Sequence, residues 1–179
     1  MDYAIVFYMN DQKTKMAEQM TRELAAVCGS DYCTNTVPHI SIASLIAEDE
    51  EAVKAEAAKL SRLLKRGKVN IASIGVFNPV VLFLAPIMNA YLLEACRMAN
   101  DQMLRVCKIG NQGRYLPDAW APHIAVAMKM EKDGLYQGFN KLSELFSPFD
   151  AEIDRMALIK WERENPFQEL AVYELAPSV

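Results

Sequence analysis

A short phrase is written twice in this chain of 179 residues: Pro38-His39-Ile40-Ser41-Ile42-Ala43 and, 84 positions on, Pro122-His123-Ile124-Ala125-Val126-Ala127. Matching Pro, Ile, a β-branched residue and Ala around a second histidine is on the order of one chance in ten thousand or less at average residue frequencies. These two phrases hold the only histidines of the chain. The pattern of apolar residues around them repeats as well, so the fold is expected to be an internal duplication.

Tyr3 to Met9 reads as a buried strand, and Asn10 or Asp11 caps a helix with Met16, Met20, Leu24 and Val27 on its apolar face and Gly29 as its stop. His39 to Leu45 alternates as a strand does, and a second helix carries Val53, Ala57, Leu60 and Leu64, ending at Gly67. Strands Val69 to Phe77 and Val80 to Ala85 follow, joined by a turn at Asn78-Pro79. The series then restarts. Pro86 is read as opening a helix with Met88, Leu92, Ala95, Ala99, Met103 and Val106 on one face, stopped by Gly110. A loop from Asn111 to Asp118 leads to the strand His123 to Met128. Asp133 then caps a helix bearing Leu135, Phe139, Leu142 and Phe146, stopped by Pro148. Two strands close the chain, roughly Asp150 to Trp161 and Phe167 to Leu175, joined through Glu164-Asn165-Pro166.

Aligning the restarts maps Tyr3 onto Val80, His39 onto His123 and Val69 onto Glu152, offsets of 77, 84 and 83 residues. The expected fold is α+β: a duplicated, bilobal arrangement of two facing, mainly antiparallel sheets with helices on the outside. No Gly/Ser or Pro run separates the halves, about 1–78 and 79–179, so 1–179 is read as a single domain.

Composition limits the function. Apolar residues make up 52% and charged residues 23%, enough for a packed core and too much for a disordered chain. The longest apolar stretch, Val80 to Met88, is broken by Pro86 and falls short of the roughly 20 residues of a membrane span. The first residues lack the basic region and cleavage site of a secretory signal, so a cytoplasmic location is expected. A net charge of −4 argues against coating long nucleic acid but leaves room for a site holding one nucleotide or phosphate. Cys28, Cys33, Cys96 and Cys107 form no C-x-x-C pair and read as buried, reduced packing residues.

On a period-two strand, His39, Ser41 and Ala43 share one face and Ile40 and Ile42 the other; His123, Ala125 and Ala127 repeat this against Ile124 and Val126. Each strand is thus expected to show one imidazole beside small residues, leaving space for a ligand. Two opposed imidazoles suit displacement at phosphorus: one takes a proton from the attacking hydroxyl, the other returns one to the leaving oxygen. Their ordinary pKa near 6.5 lets both protonation states coexist around neutrality.

His39-Ile40-Ser41 and Trp120-Ala121-Pro122-His123-Ile124-Ala125-Val126-Ala127 resemble the paired H-x-[S/T] motifs of the 2H phosphoesterases, also called the 2′-5′ RNA ligase-like or cyclic phosphodiesterase superfamily. In that family the motifs lie about 80 residues apart on a duplicated fold, and the second reads W-x-P-H-[hydrophobic]-T-[hydrophobic]-A. The resemblance covers essentially the whole chain in element order. It implies cofactor-free, metal-independent hydrolysis or ligation at 2′,3′-cyclic or 2′-5′ phosphodiesters of small nucleotides or RNA ends. It also implies that His39 and His123 are the acid–base pair and Ser41 a phosphate ligand. Ala125 stands where the family has Thr or Ser. A missing hydrogen bond to a charged phosphate costs about 1.5–3 kcal/mol, so a weakened enzyme is expected.

Other residues join the site on weaker grounds. Arg114 can grip a phosphate and Tyr115 can stack on a base, with a solvated loop as the plain alternative. Trp120 is either a pocket wall or a packing anchor. Lys160 and Trp161 can reach the cleft from the closing hairpin, or simply end a two-faced strand. Lys59, Arg62, Lys65, Arg66 and Lys68 read as a solvated face that complements a helix C-terminus. The ten methionines read as core filler. Two rival functions stay open: a nucleotide- or RNA-end-binding protein of the same fold that has lost turnover, and an interaction domain with structural histidines.

Overall fold

The structure is a computed structural model and describes residues 1–77, 81–161 and 167–178. Its elements run β1 (Asp2–Met9), α1 (Asp11–Cys28), β2 (His39–Ile46), α2 (Glu50–Leu63), β3 (Gly67–Phe77), β4 (Val81–Pro86) and α3 (Ala90–Met103), then β5 (Lys108–Ile109), β6 (Ile124–Met128), α4 (Lys132–Leu145), β7 (Phe149–Trp161) and β8 (Gln168–Glu174). Single 3₁₀ turns occupy Tyr32–Asn35 and Asn111–Gly113. The expected turns at Asn78-Pro79 and Glu164-Asn165-Pro166 lie outside the described residues.

Among the described residues eight strands form one hydrogen-bonded sheet, ordered β5-β2-β1-β7-β3-β4-β6 with β8 on the free flank of β7. Every ladder in it is antiparallel. The repeat offset sends β1 to β4, β2 to β6 and β3 to β7. Under that mapping the order β2-β1-β7-β3-β4-β6 reads the same from either end. The two sheets expected from sequence are therefore two arms of one network. They join where β7 pairs with β3 over Phe149 to Ile153 and then with β1 over Ile153 to Trp161. The arms close on each other, because β2 and β6 are in contact although they stand at opposite ends of this six-strand order.

The helices cover the outside in two pairs, α1 with α4 and α2 with α3. Each pair mixes the halves: α1 packs on β6, and α3 packs on β2. The periodic residues supply the buried faces, Ala17, Met20 and Leu24 on α1, Val53, Ala57 and Leu60 on α2, and Leu92, Ala99 and Met103 on α3. The Val, Leu and Met side chains among these each contribute about 1.5–3 kcal/mol when fully buried. All four cysteines are buried free thiols, and no helix among the described residues is long and apolar enough to cross a membrane.

Three boundaries differ from expectation for local reasons. Pro86 ends β4 and does not start α3; Asn89 caps that helix, its Oδ1 accepting from Leu92 N at 2.9 Å and its Nδ2 donating to Lys68 O at 3.0 Å. Met88 and Val106, expected on the helix face, lie outside the helix and are exposed. Gly67 opens β3 instead of stopping α2, which ends at Leu63 with Leu64 already extended; the glycine makes room for the Tyr91 ring, 2.4 Å from where a Cβ would lie. The cap of α4 is Glu131, with Asp133 inside its first turn. Strand β5 and both 3₁₀ turns are too short to leave a periodic signal.

Candidate active site

Both histidine strands carry a bulge at the same place. Ile5 pairs with Ala43 and Val6 with Ser41, leaving Ile42 as the extra residue of β2. Leu82 pairs with Ala127 and Phe83 with Ala125, leaving Val126 as the extra residue of β6. One inserted residue resets the alternation of a strand. Ahead of the bulge the expected parity holds: Ile40 and Ile124 are fully buried in the core, while His39, Ser41, His123 and Ala125 line a cleft of about 670 Å³. Beyond it the expectation fails. Ala43 and Ala127 do not share the histidine face; they join Ile42 and Val126 in the core.

The two imidazoles are anchored alike. His39 Nδ1 lies 2.7 Å from Val37 O, and His123 Nδ1 lies 2.8 Å from Ala121 O. A carbonyl can only accept, so Nδ1 carries the hydrogen in each ring, and Nε2 is the nitrogen left for the cleft. Aromatic edges set the ring planes. Phe77 and Phe83 stand 4.9 and 5.7 Å from His123 between centroids, and Phe167 and Tyr8 stand 5.4 and 6.4 Å from His39. The Tyr8 hydroxyl donates to Glu169 Oε2 at 2.7 Å, which fixes that ring from the far side.

Burial sets the electrostatics. It holds His39 down to about 4; the Val37 carbonyl opposes this, and the charge of His123 adds to it. Burial also lowers His123, opposed by the Ala121 carbonyl. The two rings feel each other's charge, so a proton on one disfavours a proton on the other. Cys33, which also lines the cleft, is pushed up to about 12 by burial and stays a thiol, a poor nucleophile.

Arg114, Tyr115 and Trp120 line this same cleft from the loop before β6, as does Trp161 from the end of β7. Tyr115 lies 6.1 Å from His123 between centroids, and burial raises its phenol while Arg114 opposes that shift. The Trp120 indole nitrogen is buried without a partner among the described residues. Lys160 is not in the cleft. Strand alternation puts it on the opposite face of β7 from Trp161, where its Nζ pairs with Glu50 Oε2 at 3.0 Å near the start of α2. Sequence reading missed Tyr32, Phe77 and Phe167 in the cleft wall. Phe77 carried a usable signal, since it ends β3 as Trp161 ends β7, 84 residues later. Among the described residues no three His, Cys, Asp or Glu side chains gather as a metal site would need.

Solved structures share this architecture. A phosphoesterase matches with a TM-score of 0.65 at 15% identity, covering 97% of each chain. TT0787 of Thermus thermophilus matches with a TM-score of 0.63 at 15% identity, covering 100% of both. E. coli LigT in complex with NADP+ matches with a TM-score of 0.62 at 14% identity, covering 97% of this chain and 96% of that one. At such low identity these likenesses speak for the fold. No curated protein matches the sequence. The family model of the 2′-5′ RNA ligase superfamily matches residues 13–165, a span that takes in both histidine strands and the loop between Arg114 and Trp120. The chain belongs to the 2′-5′ RNA ligase superfamily.

Proposed function

We propose that this protein is a metal-independent phosphoesterase acting on 2′,3′-cyclic or 2′-5′ phosphodiesters of small nucleotides or RNA ends, with His39 and His123 as its proton-transfer pair. The observation that carries the reading is the matched anchoring of the two rings, each Nδ1 on the carbonyl two residues back and each Nε2 left to one cleft. In hydrolysis one neutral Nε2 takes the proton of the attacking water as its oxygen bonds to phosphorus. The other ring, protonated, gives its proton to the ribose oxygen as the bond from phosphorus to that oxygen breaks. The mutual disfavour of two charges supports one proton shared by the pair.

Ser41 and Arg114 are the proposed phosphate ligands, and the aromatic walls suit a base or ribose face. Nucleotides as the ligand class are supported by the complexes of E. coli LigT with NADP+, 3′-AMP and ATP. Ala125 favours a second reading, a nucleotide- or RNA-end-binding protein with little turnover. A cytoplasmic place of work belongs to the same proposal.

Turnover of 2′,3′-cyclic nucleotides with EDTA present separates the readings. Loss of either imidazole, in His39→Ala or His123→Ala, is expected to lower kcat by about 10²–10⁴-fold, the usual contribution of a positioned acid or base. Ala125→Thr is expected to raise kcat/KM by roughly tenfold or more through the added hydroxyl. Turnover that survives both alanine variants sinks the two-histidine mechanism. Nucleotide binding without turnover supports the second reading.

A further inference from the structure

We infer that Asn100, a buried residue of α3 outside the cleft, is a positioning residue that holds the Arg114–Tyr115 loop against the bulge of the His39 strand; its functional consequence rests on the phosphoesterase reading. The face of α3 turned to the core is otherwise made of Leu92, Ala95, Cys96, Ala99, Gln102 and Met103. An amide buried on such a face costs free energy unless both of its hydrogens are used. Asn100 Nδ2 donates to Cys96 O at 2.9 Å within its own helix and to Tyr115 O at 3.0 Å in the loop. Ile42 O lies 3.4 Å from the same nitrogen, and Ile42 is the bulge residue that follows Ser41. Cys96 Sγ adds a weak donation to Tyr115 O at 3.5 Å. One amide therefore touches both elements that carry the proposed anion ligands, Ser41 on one and Arg114 on the other.

The loop needs such a hold. Asn111, Gln112 and Gly113 have φ of 44, 54 and 77°, three left-handed residues in succession, two of which carry a Cβ. Residues of that kind persist only where their surroundings enforce them. Strand β5 ties the loop at its start, where Gly110 N donates to Ser44 O at 2.9 Å. Asn100 ties it five residues later, beside the arginine. Without this second tie, the loop beside Arg114 keeps its own turn hydrogen bonds and the weak Cys96 contact, and the hold between Arg114 and the Ser41 strand is loosened.

The experiment compares wild type with Asn100→Leu, the milder Asn100→Ser, Arg114→Ala, and Asn100→Ser combined with Arg114→Ala. Hydrogen exchange of the free proteins is expected to speed up over residues 111–118 in the Asn100 variants, while β1 and β7 keep their protection. The Kd for 3′-AMP, by titration calorimetry, is expected to rise about tenfold in Asn100→Ser, the scale of one missing hydrogen bond to a charged group. In turnover, KM rises and the pH dependence of kcat stays in place. In the Arg114→Ala background, Asn100→Ser adds nothing further. Unchanged exchange in the loop, faster exchange throughout the molecule, or full additivity with Arg114→Ala each overturns the proposal. Failure of wild type to bind 3′-AMP counts against the phosphoesterase reading, and the exchange pattern then decides the positioning claim by itself.

Discussion

Burial disfavours the charged form of both His39 and His123 in the free protein, and a phosphate placed between them would oppose that preference. An anion beside an imidazole favours its charged form. Nucleotide binding at about pH 6 is therefore expected to take up a proton, measured as a difference in calorimetric heat between buffers of unlike ionisation enthalpy. His39→Ala and His123→Ala should each reduce the uptake, and binding by wild type with no proton exchange would mean the rings do not meet the anion. Folding follows the same logic. The unfolded chain binds protons at its histidines below about pH 6.5, whereas folded His39 resists them down to about 4. The stability it contributes is thus present above that range and is lost as pH falls through it. The placing of the histidines and Ser41 on one cleft face was legible because strand alternation is written in two matching phrases. Lys160 and Trp161 were left open between the cleft and a plain strand end, because alternation allows only one of two adjacent residues on the cleft side and apolar spacing does not say which; Trp161 takes the cleft and Lys160 the opposite face with Glu50.

At the scale of elements, the bulges decide what the motif can present. Ile-Ala in one copy and Val-Ala in the other do not announce an inserted residue, so the turn of Ala43 and Ala127 into the core had no sequence signal. The β3–β4 hairpin shows a second constraint that periodicity hides. Gly75 pairs with Phe83, and a Cβ on it would lie 2.4 Å from the end of the Phe83 ring. That ring stacks on Phe77 at 4.3 Å and leans on His123. Gly75→Ala is expected to cost about 1–3 kcal/mol from overpacking and to lower turnover by shifting His123. The check is a thermal melt and an assay beside Phe83→Leu. Once Phe83 is shortened, Gly75→Ala should do little more; equal losses in both backgrounds would show that the glycine acts elsewhere. The long helices and central strands were readable from apolar spacing, whereas caps such as Asn89 and Glu131 depend on side-chain geometry that spacing does not encode.

At the scale of the whole molecule, the palindromic strand order and the crossed helix pairs make each half complete the core of the other. Neither α1 nor α3 has its full packing surface within its own half. Thermal unfolding is therefore expected as one transition, with equal calorimetric and van't Hoff enthalpies. Two resolved transitions would mean that the halves stand alone. The order of elements and their pairing by offset were legible in the sequence. The merging of two sheets through β7 was not, because it depends on one strand changing partners at Ile153. Trp120 and Trp161 are the only tryptophans of the chain, and both stand in the wall of the cleft. The ultraviolet emission of the protein therefore originates almost entirely at this one place. Whatever enters the cleft changes the colour and brightness of that light, so the molecule carries its own optical gauge of occupancy without any attached dye.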